Sequence, residues 1–365
     1  LEKIICTVTN DLSYDQRMIR ICSSLSRAGY EVVLVGRLLP SSIALRQEPF
    51  QQVRLRCRFQ AGKLFYLEYN LRLLYWMARQ NFDALCAVDL DTLLPAFCWS
   101  RLRGKPLVYD AHEYFTEVPE VVRRPLVQKV WEAVARFCIP RLRYAYTVGE
   151  MLAEQLEKRY GTPFHCIRNL PYRRPDLAQS IEKAQPPVIL YQGALNEGRG
   201  LETALQAMTA VENAQLWLAG EGDLSTQLRD QARALQLGKN VRFLGYIPPQ
   251  ELQQLTPEAA IGLNLLENRG LSYYYSLANK TFDYLQAGVP AVHMAFPEYR
   301  ALREQYPAFL LLDQLQPAAL ADCLNRLLKN PEAYEAMRRE CLRAARDLHW
   351  EAEEERLLQF WQNVL

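Results

Sequence analysis

Residues 4–9 form a short apolar run, residues 15–28 carry the spacing of an amphipathic helix, and a second apolar run follows Gly29 up to Gly36. Apolar runs this short and this continuous are buried on both faces. The spacing therefore predicts a βαβ unit, and with it a parallel sheet covered by helices. The pattern recurs. Strand-like runs fall near residues 53–58, 84–88, 106–109, 146–149 and 164–167, with helical spacing at about 65–79 and 150–160. Residues 168–175, punctuated by Arg and Pro, are the expected linker. Beyond Pro186 and Pro187 a second series begins, with apolar runs at 188–191, 215–222, 241–247, 261–266 and 291–295. The expectation is two Rossmann-like, doubly wound α/β domains, over 1–170 and 171–349. A helical segment from about 331 to the end closes the chain, with Trp350 and Trp361 placed to pack its last stretch, about 350–365, back on the first domain.

Composition narrows the functional classes. At 365 residues and 50% hydrophobic content the chain has enough apolar material for two cores, and a net charge of +2 argues against a dedicated nucleic-acid binder. The charge is divided unevenly: residues 1–176 hold 26 Lys/Arg against 18 Asp/Glu, and residues 177–365 hold 17 against 23. Nine cysteines show no C-x-x-C pair and no metal-ligand spacing, which suits buried thiols in a reducing compartment. No run approaches the roughly 18 apolar residues of a membrane span. A cytoplasmic protein without a bound metal is expected.

Strand exits collect the ionisable residues. The loop from Asn10 to Asp15, with Asp11 inside it and Arg17 just beyond, has no glycine, so it suits a substrate rather than a dinucleotide. Asp89 and Asp91 follow the run at 84–88, and Asp110, His112 and Glu113 follow the run at 106–109; a histidine flanked by carboxylates that can orient it is a candidate catalytic group. In the second half, residues 192–200 form a glycine-rich loop between strand and helix that contains Gly193 and Arg199, an arrangement suited to phosphate. Residues 276–290 hold a short helix that Asn279 would cap, with Lys280 and Asp283 early in it. A lysine at the positive end of a helix is unfavourable alone, so it is either solvated or faces a bound anion. Residues 123–143 mix Trp131, Phe137 and Ile139 with arginines, which fits an interfacial helix drawn to anionic lipid or a core helix with a solvated basic face.

The order and spacing of these pieces resemble the family 4 retaining glycosyltransferases of GT-B fold, in a branch with a K-x-F-[DE]-Y pattern at residues 280–284. The motifs that carry the resemblance include residues 9–17, 109–113, 147–150, 192–200, 220–222 and 279–290. The resemblance implies two Rossmann-like domains facing a cleft, with a C-terminal helix packed back on the first. It implies a UDP- or GDP-linked nucleotide-sugar donor as co-substrate, with no metal. Arg199 and Lys280 would hold the donor diphosphate, Asp283 the ribose, and His112 would stand near the donor sugar. Gly193, Tyr246, Gly270 and Leu271 complete the donor side, and Asn10, Asp11, Asp15, Arg17, Asp89, Asp91 and Glu113 the acceptor side. The acceptor would be a glycan or a lipid-linked chain in cell-envelope polysaccharide assembly, with peripheral membrane contact through the basic first half. Three positions depart from the pattern: Tyr275 stands where the first acid of E-x7-E would be, Asp283 replaces the second Glu, and Ala194 replaces a loop arginine. A non-hydrolysing sugar-nucleotide epimerase and a non-catalytic nucleotide-sugar-binding subunit share the same frame.

Overall fold

The computed structural model describes residues 1–175 and 183–365, which divide into two compact units. The first comprises residues 1–169, 270–272 and 352–365. Its sheet contains β1 (Lys3–Thr7), β2 (Glu31–Leu38), β3 (Gln51–Arg56), β4 (Ala84–Val88), β5 (Leu107–Ala111), β6 (Tyr144–Thr147) and β7 (His165–Cys166). All pairs are parallel, in the order β3-β2-β1-β4-β5-β6-β7. The chain runs outward from β1 to β3 and then crosses back to β4 beside β1. That reversal brings the carboxyl ends of β1 and β4 together, the place where open parallel sheets take their ligands.

Local chemistry explains the elements. Asp15 caps the Gln16–Arg27 helix, its carboxylate accepting the Met18 N–H at 3.0 Å, and β1, β4 and β5 are apolar enough to be buried along nearly their whole length. The Leu90–Arg103 helix was not anticipated from the sequence, because it contains Pro95 and is apolar on two sides, with Leu90, Leu93 and Phe97 buried and Leu94 and Leu102 exposed.

The C-terminal helix Trp350–Gln362 enters the first unit from residue 352 onward. Phe360 sets its ring edge-on to Tyr144, Tyr146 and His165, the Tyr144 hydroxyl donates to the Asn363 carbonyl at 2.8 Å, and Trp361 is fully buried. Trp350 departs from expectation. It groups with the second unit, where its N–H donates to the Pro171 carbonyl at 2.8 Å.

The second unit comprises residues 170–269 and 273–351. It contains β8 (Val188–Gln192), β9 (Gln215–Ala219), β10 (Val241–Gly245), β11 (Ile261–Asn264), β12 (Ala291–Met294) and β13 (Phe309–Leu312), all parallel, in the order β10-β9-β8-β11-β12-β13. The reversal here lies between β8 and β11. β13 is a strand the sequence did not disclose, four apolar residues enclosed by helices and too short to show a period. The Pro331–Asp347 helix packs on the Asn279–Gln286 helix, and the buried Gln286 amide donates to the Ala345 and Leu348 carbonyls. These bonds fix the far end of the helix that carries Lys280.

If the C-terminal helix is integral to the first unit, Trp361→Ala will destabilise that unit by about 3–5 kcal/mol through loss of a fully buried indole. Urea unfolding followed by tyrosine and tryptophan fluorescence checks this, and a change below about 1 kcal/mol would contradict the packing described.

Candidate functional site

Each unit gathers polar side chains at the reversal point of its own sheet. In the first, Arg17 and Asp110 form an almost fully buried pair, with the guanidinium Nη2 2.8 Å and Nε 3.3 Å from the carboxylate oxygens and Nη1 donating to the Ile167 carbonyl at 2.8 Å. The same carboxylate lies 3.2 Å from Nε2 of His112. Burial alone would push the His112 imidazole down, but Asp110, through charge and hydrogen bond, and Asp89, through charge, hold its pKa up at about 9. His112 is therefore an imidazolium at neutral pH. Its backbone N–H donates to Asp89 at 2.9 Å, with Asp89 in the left-handed region at φ 54°. Thr9 donates to Asp91 at 2.5 Å. Burial raises both carboxyls, Asp91 to about 6 against the pull of the Thr9 hydroxyl and His112, and Asp89 well above the ordinary range.

The residues expected on the acceptor side thus divide. Asp89, Asp91 and His112 share one cluster. Arg17 lies beneath it, its donors taken up by Asp110 and Ile167, so it acts on the cluster only through Asp110. Asn10, Asp11 and Asp15 hold their own loop: the Asn10 amide donates to Asp15 at 2.6 Å, Asp11 accepts from Ser13 and Ser42, and Asp15 caps its helix. Glu113 is exposed.

In the second unit, the Lys280 ammonium lies 3.8 Å from the centre of the Tyr191 ring and rests over Gly193, where an added Cβ would come within 3.3 Å of it. Gly193 is itself tightly placed. Its N–H donates to the Ala219 carbonyl at 2.9 Å, and a Cβ on Gly220 would lie 1.9 Å from its carbonyl oxygen. Burial and the neighbouring charge of Arg199 push the Lys280 pKa well below the ordinary lysine range, with Asp283 pulling weakly the other way. Arg199 stacks 5.1 Å from the Tyr273 ring centre, and its buried Nε has no hydrogen-bond partner. Two basic side chains converge beside a glycine turn, and the Asp283 carboxylate is turned toward Gln192. Asp283 accepts from the Gln192 side-chain amide at 2.9 Å, and the side-chain oxygen Oε1 of Gln192 accepts from the Thr256 hydroxyl at 2.9 Å.

The structure corrects the capping of the Lys280 helix. Its N-cap is Ala278, whose extended backbone donates to the Tyr299 hydroxyl at 3.0 Å, so Asn279 is the first helical residue. Tyr246 is exposed after β10, while Gly270 and Leu271 group with the first unit, Gly270 lying against the Glu117 carbonyl. Tyr275 sets its ring edge-on to Tyr274. Sequence reasoning missed Tyr191 and Gln192. The alternation along β8, which puts Tyr191 on the same face as Gly193, was the available signal. Among the described residues no group of three or more His, Cys, Asp or Glu is placed to hold a metal ion.

Residues 16–171 match the family described as Glycosyltransferase Family 4, and residues 186–330 match Glycosyl transferases group 1. The chain is a GT-B-fold relative of these glycosyltransferases. No curated protein sequence matches it. Among solved structures, sucrose-phosphate synthase from Thermosynechococcus elongatus is similar with a TM-score of 0.78 at 17% identity, over 100% of this chain and 99% of that one. HepE of Anabaena in complex with UDP and glucose is similar with a TM-score of 0.80 at 14% identity, over 100% of both chains. WaaG, a glycosyltransferase involved in lipopolysaccharide biosynthesis, is similar with a TM-score of 0.74 at 15% identity, over 97% of this chain and 98% of that one.

The His112–Asp110 contact carries a pH signature. Because the folded pKa of His112 lies above its unfolded value of 6.5, the stabilisation is fully present below about pH 6.5 and is lost as pH rises through about 9. The thermal midpoint of the wild type is expected to fall more steeply over pH 6.5–9 than that of His112→Asn. Parallel curves would show that the imidazole is not held in its charged form.

Proposed function

We propose that the protein transfers a sugar, with retention and without metal, from a UDP- or GDP-linked donor to a glycan or lipid-linked acceptor. The setting is cell-envelope polysaccharide or glycoconjugate assembly, in the cytoplasm and in peripheral contact with a membrane. The observation that carries this reading is the pair of basic side chains in the second unit. Lys280 is held by a ring and a glycine in place of a carboxylate, and a buried Arg199 nitrogen is left without a partner. A group that satisfies both is a diphosphate, and HepE, of the same fold, is a protein solved with UDP and glucose.

The chemistry follows from charge. Breaking the bond from the anomeric carbon to the donor phosphate leaves negative charge on the diphosphate, and Lys280, Arg199 and the N-terminus of the Asn279–Gln286 helix stabilise it from fixed positions. Asp283 takes the ribose hydroxyls, with Tyr246, Gly270 and Leu271 as further donor contacts. The acceptor oxygen forms its bond to the same face of the anomeric carbon, and a leaving phosphate oxygen receives the acceptor's proton. In this reading His112, charged at neutral pH, stabilises the departing donor, and Asp89 and Asp91 orient acceptor hydroxyls.

Lys280 supplies a direct test. An arriving diphosphate raises the pKa of a lysine that burial and Arg199 have lowered, so binding of UDP or GDP is expected to take up protons. Isothermal titration in buffers of different ionisation enthalpy reads this uptake, and it should vanish in Lys280→Met. Lys280→Ala is expected to lower transfer by about 10²–10³-fold with an unchanged circular-dichroism spectrum; near-normal turnover would overturn the assignment. Tyr275 and Ala194 favour one other reading, a nucleotide-sugar binder without turnover. Tight donor binding with neither hydrolysis nor transfer across a donor panel would select it, and alteration of the donor sugar without any acceptor would select an epimerase.

A further inference from the structure

One face of the first unit is apolar where it should be polar. The crossovers from β3 to β4, β4 to β5 and β5 to β6 all run in the same direction along the sheet, so their right-handed connections place the Gly62–Ala78, Leu90–Arg103 and Pro125–Cys138 helices in one layer on one side of it. The first packs on the second and the second on the third. Ring contacts between Tyr66 and Trp131 and between Phe97 and Phe137 knit the layer together.

A helix covering a sheet ordinarily turns charged and polar residues outward. These three turn out leucines. On the first helix Phe65, Tyr69, Leu73 and Met77 face inward at four-residue intervals, yet Leu64, Leu67, Leu71 and Tyr75 on the opposite side are each more than half exposed. The second helix exposes Leu94, Cys98 and Leu102, again four apart, with Leu102 73% accessible. The third exposes Leu126, Val130 and Phe137, with Leu126 79% accessible. Single exposed leucines are commonplace, but three adjacent stripes in one layer form a continuous patch, which soluble surfaces ordinarily avoid.

Charge decides what covers it. Every exposed side chain that carries a charge on the three helices is a cation: Lys63, Arg72, Arg101, Lys129 and Arg136. The acids they contain are withdrawn, since Asp91 is buried and Glu68 and Glu132 are mostly covered and bound by Arg72 and Arg136. Arg79 lies over the Tyr75 ring and Arg141 over Phe137, cations laid along aromatic faces as at a boundary between apolar and aqueous phases. Leucines interspersed with cations do not suit the polar surface of a nucleic acid, and a second copy of the same face would set like charges against like.

We infer that this three-helix layer docks on an anionic lipid surface, its leucines and aromatic rings entering the acyl boundary and its lysines and arginines meeting phosphate headgroups. The face gives the peripheral contact proposed above a location. Its test reads vesicle binding alone, so its failure leaves the transfer reading standing.

The experiment is flotation of the full chain with vesicles of phosphatidylcholine alone or of phosphatidylcholine with about one-third phosphatidylglycerol. The triple variants L67S/L71S/L126S and K63E/K129E/R136E change exposed side chains only, and circular dichroism and thermal midpoint verify that each folds. Expected are binding to the anionic vesicles, at least tenfold weaker binding to neutral ones, and a loss of at least tenfold in either variant. Equal binding to both vesicle types, no binding to either, or unchanged binding of folded variants would overturn the inference. So would self-association in light scattering that L67S/L71S/L126S abolishes while vesicle binding is absent.

Discussion

The first unit depends on the ion pair between Arg17 and Asp110. Removing two charges from water is costly, and a buried pair is sustained only by good geometry and by partners for the remaining hydrogen-bonding groups. Both conditions hold here: two guanidinium nitrogens address the two carboxylate oxygens, and a third donates to the Ile167 carbonyl. The pair ties the helix after β1 to β5 and to the backbone just beyond β7. Because the same carboxylate also faces His112, the interaction that joins these elements sets the charge of the imidazole.

The second unit is built on the opposite principle. Lys280 and Arg199 are brought close to one another, and each is supported by an aromatic ring. Burial first, and then repulsion from Arg199, lowers the Lys280 pKa, a cost that a bound anion would relieve. The surrounding bonds hold the arrangement open: Gln192 turns Asp283 aside, and Tyr299 and Gln286 pin the two ends of the lysine's helix. In the proposed transfer, order that does not depend on the ligand is what gives fixed charges their effect on a developing diphosphate.

Much of this was legible in the chain. The apolar runs announced nearly all the strands, since parallel strands buried on both faces leave a continuous signal, and the glycine-rich turn after β8 marked the phosphate-like loop. Elements without periodicity were lost, as with the Leu90–Arg103 helix and β13. Among site residues, a side chain's type indicated chemistry but not direction. Arg17 and Asp15 look alike as candidates for a substrate, yet one is buried against Asp110 and the other closes a helix. Lys280 was conspicuous for its place in a first turn, whereas Tyr191, its actual support, looks like any strand tyrosine. That the exposed charges of three separate helices are all cations has meaning only when the crossovers place the helices side by side.

The contact between Gly220 and the Gly193 carbonyl has a consequence for how such a protein diversifies. With no room for a Cβ on Gly220 against the Gly193 carbonyl, Gly220 cannot acquire a side chain without displacing the turn after β8, and with it the floor beneath Lys280. Substitution is thereby channelled away from this floor and toward side chains that do not meet it, such as the exposed Tyr246. In the proposed transfer, divergence around an unchanged floor would let one lineage exchange sugars while retaining a single way of gripping what they leave behind.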